Sequence, residues 1–512
     1  MHTVASRTNA WEPGGPRART SSPPSSPSSC PRPVPRGPSG RSAGWARQRL
    51  PAALALALAW AAPGCSREGD GQPPPARAPE PSARQEAPAA PGPQAAGGDS
   101  AAPAAPAAAK EGGAAGAPAG RRAKTNVLVI SIDSLRTDMP WNGYPRDIAP
   151  TLTAFEKQAV SYTRHYAISS YTSMSVGGFL AGRYPSEVDR SGYFFGNYPD
   201  SVLMFPELLQ KAGVRTMTAH AHFYFDQKAG FRQGFDVYEI VPGLSADNTT
   251  DRNVTSPGHL ELAMKMLSDK ANTSGTFFAY FHFLDPHDVY MTHEGIEPFG
   301  KKARDKYDGE VKFTDMHIAK LLDFVAQHPW GKDTAIIVTA DHGEAFGEHK
   351  MFRHGFEVWD VLTHVPLMIQ APGITPRRID EPRSSLDLAP TILELTGAPA
   401  EPSFPGKSLV PELYGAKAEP RDVIVDLPRT SDNDRRRALI HGRHKLIAYG
   451  DDDAFDLFDV VADPGETKDL KKEQPAVFEE MKALYKERSA AIKDVCPKNT
   501  AKLKGKKKNK RC

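Results

Sequence analysis

The chain has 512 residues, 39% of them hydrophobic, with 64 lysines and arginines against 61 aspartates and glutamates. Eight of the basic residues and no acid follow Cys496, so the rest of the chain is formally acidic despite a net charge of +3. This distribution argues against nucleic-acid binding by a folded domain. The remaining cysteines are Cys30, Cys65 and Cys512, and their positions exclude a cysteine nucleophile or a thiolate metal site over residues 123–495.

Residues 1–122 are dominated by Pro, Ala, Ser, Gly and Arg and cannot bury enough apolar surface to form a core. One apolar run within them, AALALALAWAA, follows several arginines. It is shorter than the roughly 20 residues of a membrane span, so it predicts a secretory signal. Cys65 lies just after this run, and the stretch resembles a bacterial lipoprotein cleavage site with Cys65 as the lipidated residue. Ordinary cleavage beside an incidental cysteine is the alternative.

We therefore expect an N-terminal extension and signal peptide over residues 1–65 and a flexible Pro/Ala/Gly linker over 66–122. The expected location is the bacterial envelope, in the periplasm or on the outer surface, with a lipid at Cys65 as the only contact with a membrane.

From Asn126 onward, short apolar runs alternate with longer helical stretches, which is typical of an α/β sheet covered on both faces. Three of these runs end in polar side chains that can bind metal. NVLVISI precedes Asp133, TFFAYFHF precedes Asp285 and His287, and TAIIVTA precedes Asp341 and His342. Parallel sheets collect their ligands at the carboxyl ends of the strands, so these residues predict one shared site.

Each of these motifs has a structural alternative. An aspartate at a strand end often caps the next helix, and an Asp-His pair is often only a hydrogen bond. Taken together, Asp133, Asp341 and His342 favour a divalent cation, since carboxylate and imidazole ligands offset one another's desolvation. His282 is expected to pack beneath such a site.

Several segments now identify the chain as a member of the sulfatase family of the alkaline-phosphatase superfamily. They are VLVISIDSLRTD, FLAGRYPSE, FFAYFHFLDPHDVY, IIVTADHGEAFGEH and SSLDLAPTILELTGAP, in the order in which the family has them. The resemblance implies an α/β fold with a doubly wound mixed sheet of the alkaline-phosphatase type over residues 123–420. It also implies a small C-terminal antiparallel α+β subdomain over 421–490, followed by a basic tail over 491–512.

The nucleophile differs from that of true sulfatases, whose loop reads Cys-x-Pro-x-Arg before Leu-Thr-Gly-Arg. Aligning the latter with Leu180 to Arg183 places Thr172 at the cysteine, Met174 at the proline and Val176 at the arginine. A threonine cannot become formylglycine. In this respect the chain resembles the superfamily's phosphodiesterases and its phosphoethanolamine and phosphoglycerol transferases, whose metal-bound threonine is the nucleophile. We expect Gly177 to let the loop approach the substrate anion.

The resemblance implies a site for one divalent metal ion, held by Asp133, Thr172, Asp341 and His342. Sulfatases typically place two adjacent aspartates after the first strand, whereas Ser134 follows Asp133 here. Loss of this oxygen ligand, with a histidine in the set, favours Zn²⁺ or Mn²⁺ over Ca²⁺. A second ion would need more ligands than the sequence offers, since Asp285 and His287 could contribute but no third residue accompanies them, so one ion is expected.

The resemblance also implies that His287 and His354 are catalytic residues that contact the transferred group and protonate the leaving group. His349 is expected either to bind substrate or to be structural.

Three functions follow from these expectations. The first is a hydrolase of phosphate or sulfate esters that acts through a covalent Thr172 intermediate on a small-molecule, glycan or lipid ester. The second is a phospho-group transferase acting on envelope substrates. The third is a non-catalytic protein that binds a glycan or envelope component in the same pocket.

Overall fold

The protein is described by a computed structural model, which covers residues 124–192, 195–244, 252–430 and 433–498. The predicted signal segment, the linker and Cys65 lie outside these residues, as do Cys512 and most of the basic tail.

The strands within this part are, in chain order, β1 Asn126–Ile132, β2 Val160–Tyr162, β3 His165–Tyr166, β4 Arg215–His220, β5 Val237–Ile240, β6 Phe277–Phe283, β7 Thr334–Ala340, β8 Ala345–Phe346, β9 Phe352–Arg353, β10 His364–Val365, β11 Leu367–Gln370, β12 Arg377–Ile379, β13 Arg383–Ser384, β14 Val423–Leu427, β15 Arg436–His441, β16 His444–Tyr449 and β17 Ala454–Asp459. The helices are α1 Pro150–Glu156, α2 Thr172–Ala181, α3 Phe205–Lys211, α4 Ser256–Ser268, α5 Lys270–Thr273, α6 Ala303–Gln327, α7 Asp360–Thr363, α8 Leu388–Thr396, α9 Val410–Leu413 and α10 Pro475–Ala490.

The main sheet has eight strands in the order β12-β2-β11-β7-β1-β6-β4-β5. All of its strands run parallel except β11, which is antiparallel to both of its neighbours. Every residue of β1, β6 and β7 is buried, because these near-continuous apolar runs have helices on both sides. The predicted α/β class with a mixed sheet is therefore confirmed.

Alternate residues of the central strands face two separate cores. On one face, Val127 and Val129 of β1 pack in a cluster with α2, α3 and α8. On the other, Leu128 and Ile130 pack in a cluster with α1, α4 and α6. Each strand contributes alternately to the two cores because successive side chains point to opposite faces of the sheet. The sheet is thus doubly wound, as the resemblance implies.

The register of the central strands brings their carboxyl ends to one level. Ile132, the last residue of β1, pairs with Phe283 at the end of β6 and with Ala340 at the end of β7. The residues that follow these strands therefore leave the sheet side by side, at the edge where ligands of parallel sheets bind.

A smaller antiparallel sheet follows in the order β14-β15-β16-β17, and α10 packs against it through Met481 and Tyr485. This is the C-terminal antiparallel α+β subdomain that the resemblance implies. None of the helices in the described ranges is both long enough and apolar enough to cross a bilayer.

Helix α4 carries a buried histidine beside the sheet. The His259 ring stacks on Phe283 with centroids 4.4 Å apart, and neither of its ring nitrogens has a hydrogen-bond partner. Burial, with a smaller repulsion from His282, lowers the pKa of His259 from 6.5 to about 3. The folded protein therefore holds this imidazole uncharged at a pH where the unfolded chain protonates it.

We expect His259→Leu, which is similar in size, to reduce the acid sensitivity of the fold. Between about pH 6.5 and about pH 3 the unfolded state binds one more proton at His259 than the folded state, so the parent loses stability as pH falls. The free energy of unfolding of the variant should depend less steeply on pH. The slope should fall by about 1.4 kcal/mol per pH unit, which corresponds to a difference of one bound proton. Urea unfolding from pH 7 to pH 4 measures this slope, and equal slopes for the two proteins would refute the expectation.

Candidate functional site

Two carboxylates meet where β1 and β7 end. The backbone N–H of Asp133 donates to Phe283 O at 2.8 Å and so continues the strand pairing. Ser134 contacts both carboxylates, since its hydroxyl donates to Asp133 Oδ1 at 2.7 Å and its backbone N–H donates to Asp341 Oδ1 at 3.4 Å. Both aspartates are buried. Ser134 thus orients the two carboxylates at the position where the resemblance leads one to expect a second aspartate.

His342 completes this acidic cluster with a ring nitrogen. Its Nδ1 donates to Gly343 O at 2.9 Å, which leaves Nε2 directed at the carboxylates. That Nε2 is 3.4 Å from Asp341 Oδ2 and 3.7 Å from Asp133 Oδ1. One ligand atom from each of Asp133, Asp341 and His342 lies within 4.8 Å of the others. Asp341 Oδ2 is buried without a hydrogen-bond partner, so the donor set fits a divalent cation.

Thr172 lies at the same point, as the first residue of α2. Its hydroxyl donates to Asp133 Oδ2 at 3.1 Å, and Oγ1 is also 3.1 Å from His342 Nε2. The neighbouring hydroxyls point elsewhere, since Ser175 Oγ donates to Ser169 O. Of the hydroxyl groups near the start of α2, that of Thr172 is the one in contact with both the predicted acid and the predicted imidazole.

A pocket of about 190 Å³ opens beside Thr172. His287 and His354 both line it, with their ring centroids 5.1 Å apart. Each ring is anchored through Nδ1, which lies 2.7 Å from Asp288 O in His287 and 3.3 Å from Glu344 Oε2 in His354. Anchoring at Nδ1 leaves Nε2 of each ring for other contacts. The structure therefore brings His287 and His354 together with Asp133 and Thr172 around one cavity.

The charged groups of the cluster counteract the effect of burial on one another's pKa values. Burial alone would raise the pKa of Asp133, but His287, His342 and His282 keep it below its usual value. Burial would lower the pKa of His342, but Asp341 and Asp133 raise it. The carboxylates and imidazoles thus stabilise each other's charged forms.

Further residues line the pocket. They include Phe195, His222, Arg353 and Phe356. His222 follows β4 by two residues and obeys the same strand-end rule as Asp133, so the sequence did carry a signal for it. Burial, followed by repulsion from His287, lowers the pKa of His222 to about 3. This ring is therefore neutral at physiological pH.

His349 lies apart from the pocket. Its ring stacks on Trp359 with centroids 3.8 Å apart and an interplanar angle of 7°. Of the two alternatives for His349, this contact favours the structural one, and its left-handed backbone, with φ of 51°, fixes the ring in that direction.

Asp285 is wrong as a partial ligand of a second metal ion. Its Oδ1 accepts hydrogen bonds from the backbone N–H and the hydroxyl of Thr255, both at 2.6 Å, and its Oδ2 accepts from Ser256 N at 2.7 Å. This carboxylate caps the start of α4, because the first backbone amides of a helix need an acceptor from outside the helix.

Gly177 also has a different role from the expected one. A Cβ at this position would lie 2.1 Å from the hydroxyl oxygen of Tyr198. That hydroxyl donates to Ser173 O at 2.7 Å. Gly177 therefore makes room for Tyr198, which supports the first turn of α2, rather than for a substrate anion.

Comparisons with known proteins indicate the family and the fold of the chain. A family model described as Sulfatase matches residues 125–398, and one described as N-sulphoglucosamine sulphohydrolase, C-terminal, matches residues 347–493. A choline-sulfatase of Rhizobium meliloti is 26% identical over 428 residues, which are 68% of this chain and 82% of that protein. A sulfatase of Formosa agariphila is 27% identical over 74% of this chain and 87% of its own.

Among solved structures, the phosphonate monoester hydrolase of Silicibacter pomeroyi superposes with a TM-score of 0.58 at 22% identity, over 73% of this chain and 96% of its own. This likeness concerns the fold. Because the sulfatase model alone spans more than half of the sequence, the chain belongs to the sulfatase family and is an ester hydrolase.

Proposed function

We propose that the protein is a metal-dependent hydrolase of sulfate or phosphate esters in which Thr172 is the nucleophile. One observation carries the proposal: Thr172 Oγ1 lies 3.1 Å from Asp133 Oδ2 and 3.1 Å from His342 Nε2, and Thr172 lines the pocket. A hydroxyl placed between a carboxylate and an imidazole beside a cavity has the position of an activated nucleophile.

Asp133, Asp341, His342 and Thr172 would hold the cation. Bound there, a divalent cation lowers the pKa of a coordinated hydroxyl and stabilises charge on the ester's nonbridging oxygens. Three oxygen donors with an imidazole suit Zn²⁺ or Mn²⁺ better than Ca²⁺, which prefers six to eight oxygens.

In the first step, Thr172 Oγ1 forms a bond to phosphorus or sulfur while the bond from that atom to the alcohol oxygen breaks. The hydroxyl proton is directed at Asp133 Oδ2, the acceptor of its hydrogen bond. The product is a threonine ester of the oxyanion. The helix α2 begins at Thr172, so its positive end lies beside the oxyanion during transfer.

The departing alcohol oxygen needs a proton, and His287 and His354 are the pocket's candidate donors. Both present Nε2, since Nδ1 of each ring is anchored. Burial, followed by repulsion from His342, lowers the pKa of His354. Glu344, which is buried behind this ring, partly offsets the shift. In the second step, water attacks phosphorus or sulfur and gives a proton to the ring that protonated the alcohol, while the bond from that atom to Thr172 Oγ1 breaks. The oxyanion leaves, and Thr172 Oγ1 takes back the proton held by Asp133 Oδ2.

The oxyanion of the substrate is either a sulfate or a phosphorus oxyanion. The family and the choline-sulfatase relative favour a sulfate ester. The threonine nucleophile, and the fold shared with a phosphonate monoester hydrolase, favour a phosphorus ester. The pocket binds a tetrahedral oxyanion in either case, so the substrate assay distinguishes the two.

The test uses purified protein with aryl phosphate, phosphodiester, phosphonate monoester and aryl sulfate substrates, each with Zn²⁺, Mn²⁺ or Ca²⁺. Turnover that stops with a chelator and returns with one cation, together with an acid-quenched adduct on the Thr172 peptide, is the expected result. Transfer to an added alcohol in preference to water would support the transferase instead. No turnover of any ester by cation-loaded protein would leave a non-catalytic binding protein and overturn the proposal.

The proposal includes export to the bacterial envelope with a lipid at Cys65. Disulfides persist mainly in oxidising compartments, and the disulfide-bonded state of Cys496 supports export. Labelling of cells with a fatty-acid analogue tests the lipid, and loss of the label in Cys65→Ala is expected.

A further inference from the structure

His282 is a buried histidine whose ring faces the carboxylates of the site. It lies in β6, one strand away from Asp133 and two strands away from Asp341. Its Nε2 is 3.4 Å from Asp341 Oδ2 and 3.7 Å from Asp133 Oδ2. The side chain is fully buried, and neither ring nitrogen has a hydrogen-bond partner. The ring thus does not simply pack beneath the site.

An unpartnered buried polar group is costly, and native structures contain few of them. Here two such atoms lie 3.4 Å apart, in ion-pair contact with each other but without the geometry of a hydrogen bond, because Asp341 Oδ2 is the second of them. A cation between them would satisfy both. Atoms bound to one Zn²⁺ at about 2.1 Å, at the angles of roughly 90° to 120° of a five-coordinate site, lie about 3.0 to 3.6 Å apart. The distances between the potential ligand atoms of Asp133, Thr172, His342 and His282 are 3.1 to 3.7 Å, which is close to this spacing.

The surroundings of His282 fix the direction of its ring. His220 and Phe225 lie beside it, with ring centroids 6.3 Å and 5.5 Å away. His220 is itself held by Thr218, whose hydroxyl oxygen is 3.1 Å from His220 Nε2. A ring confined in this way loses little freedom when it binds an ion, which is how supporting residues usually strengthen metal sites.

We propose that His282 Nε2 is a ligand of the same divalent cation, in place of the oxygen that an aspartate at position 134 would supply. The inference rests on the metal site of the proposed function and deepens it. The donor set becomes three oxygens, from Asp133, Thr172 and Asp341, and two imidazole nitrogens, from His282 and His342. Two nitrogens move the selectivity further from Ca²⁺ and toward Zn²⁺.

The test compares the full chain with His282→Gln and with a matched control, His259→Gln. His259 is equally buried and also has two unpartnered ring nitrogens, but its ring lies against Phe283, on the other face of the sheet. Metal-free proteins are titrated with Zn²⁺ by calorimetry, and the zinc-loaded proteins are measured by X-ray absorption at the zinc edge. We expect His282→Gln to weaken zinc binding by at least about 100-fold, since even loss of an outer partner costs 10- to 100-fold.

The absorption spectrum should report two imidazoles on zinc in the parent and in His259→Gln, and one in His282→Gln. The count in the parent needs no variant, so the inference can be tested even if His282→Gln fails to fold. One imidazole in the parent, or equal zinc affinity for the parent and His282→Gln, would overturn the role of His282 and leave the proposed function intact. Absence of zinc binding by the parent, with metal-independent turnover, would instead refute the shared metal site.

Discussion

Thr172→Ala is expected to lower kcat by about 10³-fold or more, because no other hydroxyl in the described residues contacts both Asp133 and His342. The change should have little effect on the fold, since alanine suits the first turn of a helix and Thr172 is only partly buried. The measurement is the turnover of the best ester substrate with its best cation, together with the thermal midpoint of each protein.

Two further variants separate the nucleophile from its surroundings. Thr172→Ser keeps Oγ and should keep turnover within about tenfold, with the covalent adduct now on the serine. Ser175→Ala removes a hydroxyl of the same helix that only donates to Ser169 O, and its kcat should match the parent within a few-fold. If Thr172→Ala turned over like the parent, the covalent mechanism would be wrong whatever the metal content.

Sequence patterns predict much of the fold for a simple physical reason. The runs from Asn126 to Ile132 and from Thr334 to Ala340 coincide with β1 and β7, because a strand buried on both faces is largely apolar and each of these runs ends at an aspartate. The first polar residues after these strands, Asp133 and Asp341, then meet because parallel strands in register end at one edge.

Sequence could not give the contacts that depend on strand order. Alternation along β6 places His282 and Tyr280 on one face of the sheet. The contact of His282 with Asp341 also requires β1 to lie between β6 and β7, which the order of the motifs along the chain does not determine. The direction of His349 likewise depends on a left-handed backbone and on Trp359, neither of which a histidine-rich motif reveals.

A buried ion cluster joins the C-terminal sheet to the segment that follows His354. Lys445 of β16 is fully buried, and its Nζ lies 2.6 Å from Asp360 Oδ1 and 2.9 Å from Glu466 Oε1. It also donates to Val358 O at 2.7 Å. Burial raises the pKa of Glu466 to about 7 although Lys445 opposes this shift. The ammonium group therefore opposes the protonation of Glu466 that burial favours.

Lys445→Met is expected to lower the free energy of unfolding by about 3 to 5 kcal/mol, because removing one partner leaves the other buried charges uncompensated. The loss should shrink as pH falls, since Glu466, whose pKa burial raises to about 7, can then bind a proton and become neutral in the folded state. Urea unfolding at pH 8 and pH 5 measures both effects. Lys468→Met is the matched control, because Lys468 forms a surface pair with Glu473 in which both side chains are more than half exposed, and it should cost less than about 1 kcal/mol.

Replacing the carboxylates together with the lysine distinguishes an electrostatic cause from lost packing. The triple variant Lys445→Met, Asp360→Asn and Glu466→Gln removes all three charges and should recover a large part of the stability that Lys445→Met loses, because no unpaired charge remains in the core. The contribution of these three positions to the free energy of unfolding should then no longer change between pH 8 and pH 5. A triple variant no more stable than Lys445→Met would show that the cluster acts through the hydrogen bond to Val358 and the packing of the lysine stem. In that case, Lys445 of β16 would hold the segment from His354 to Asp360 in position through packing and a hydrogen bond, and not through its charge.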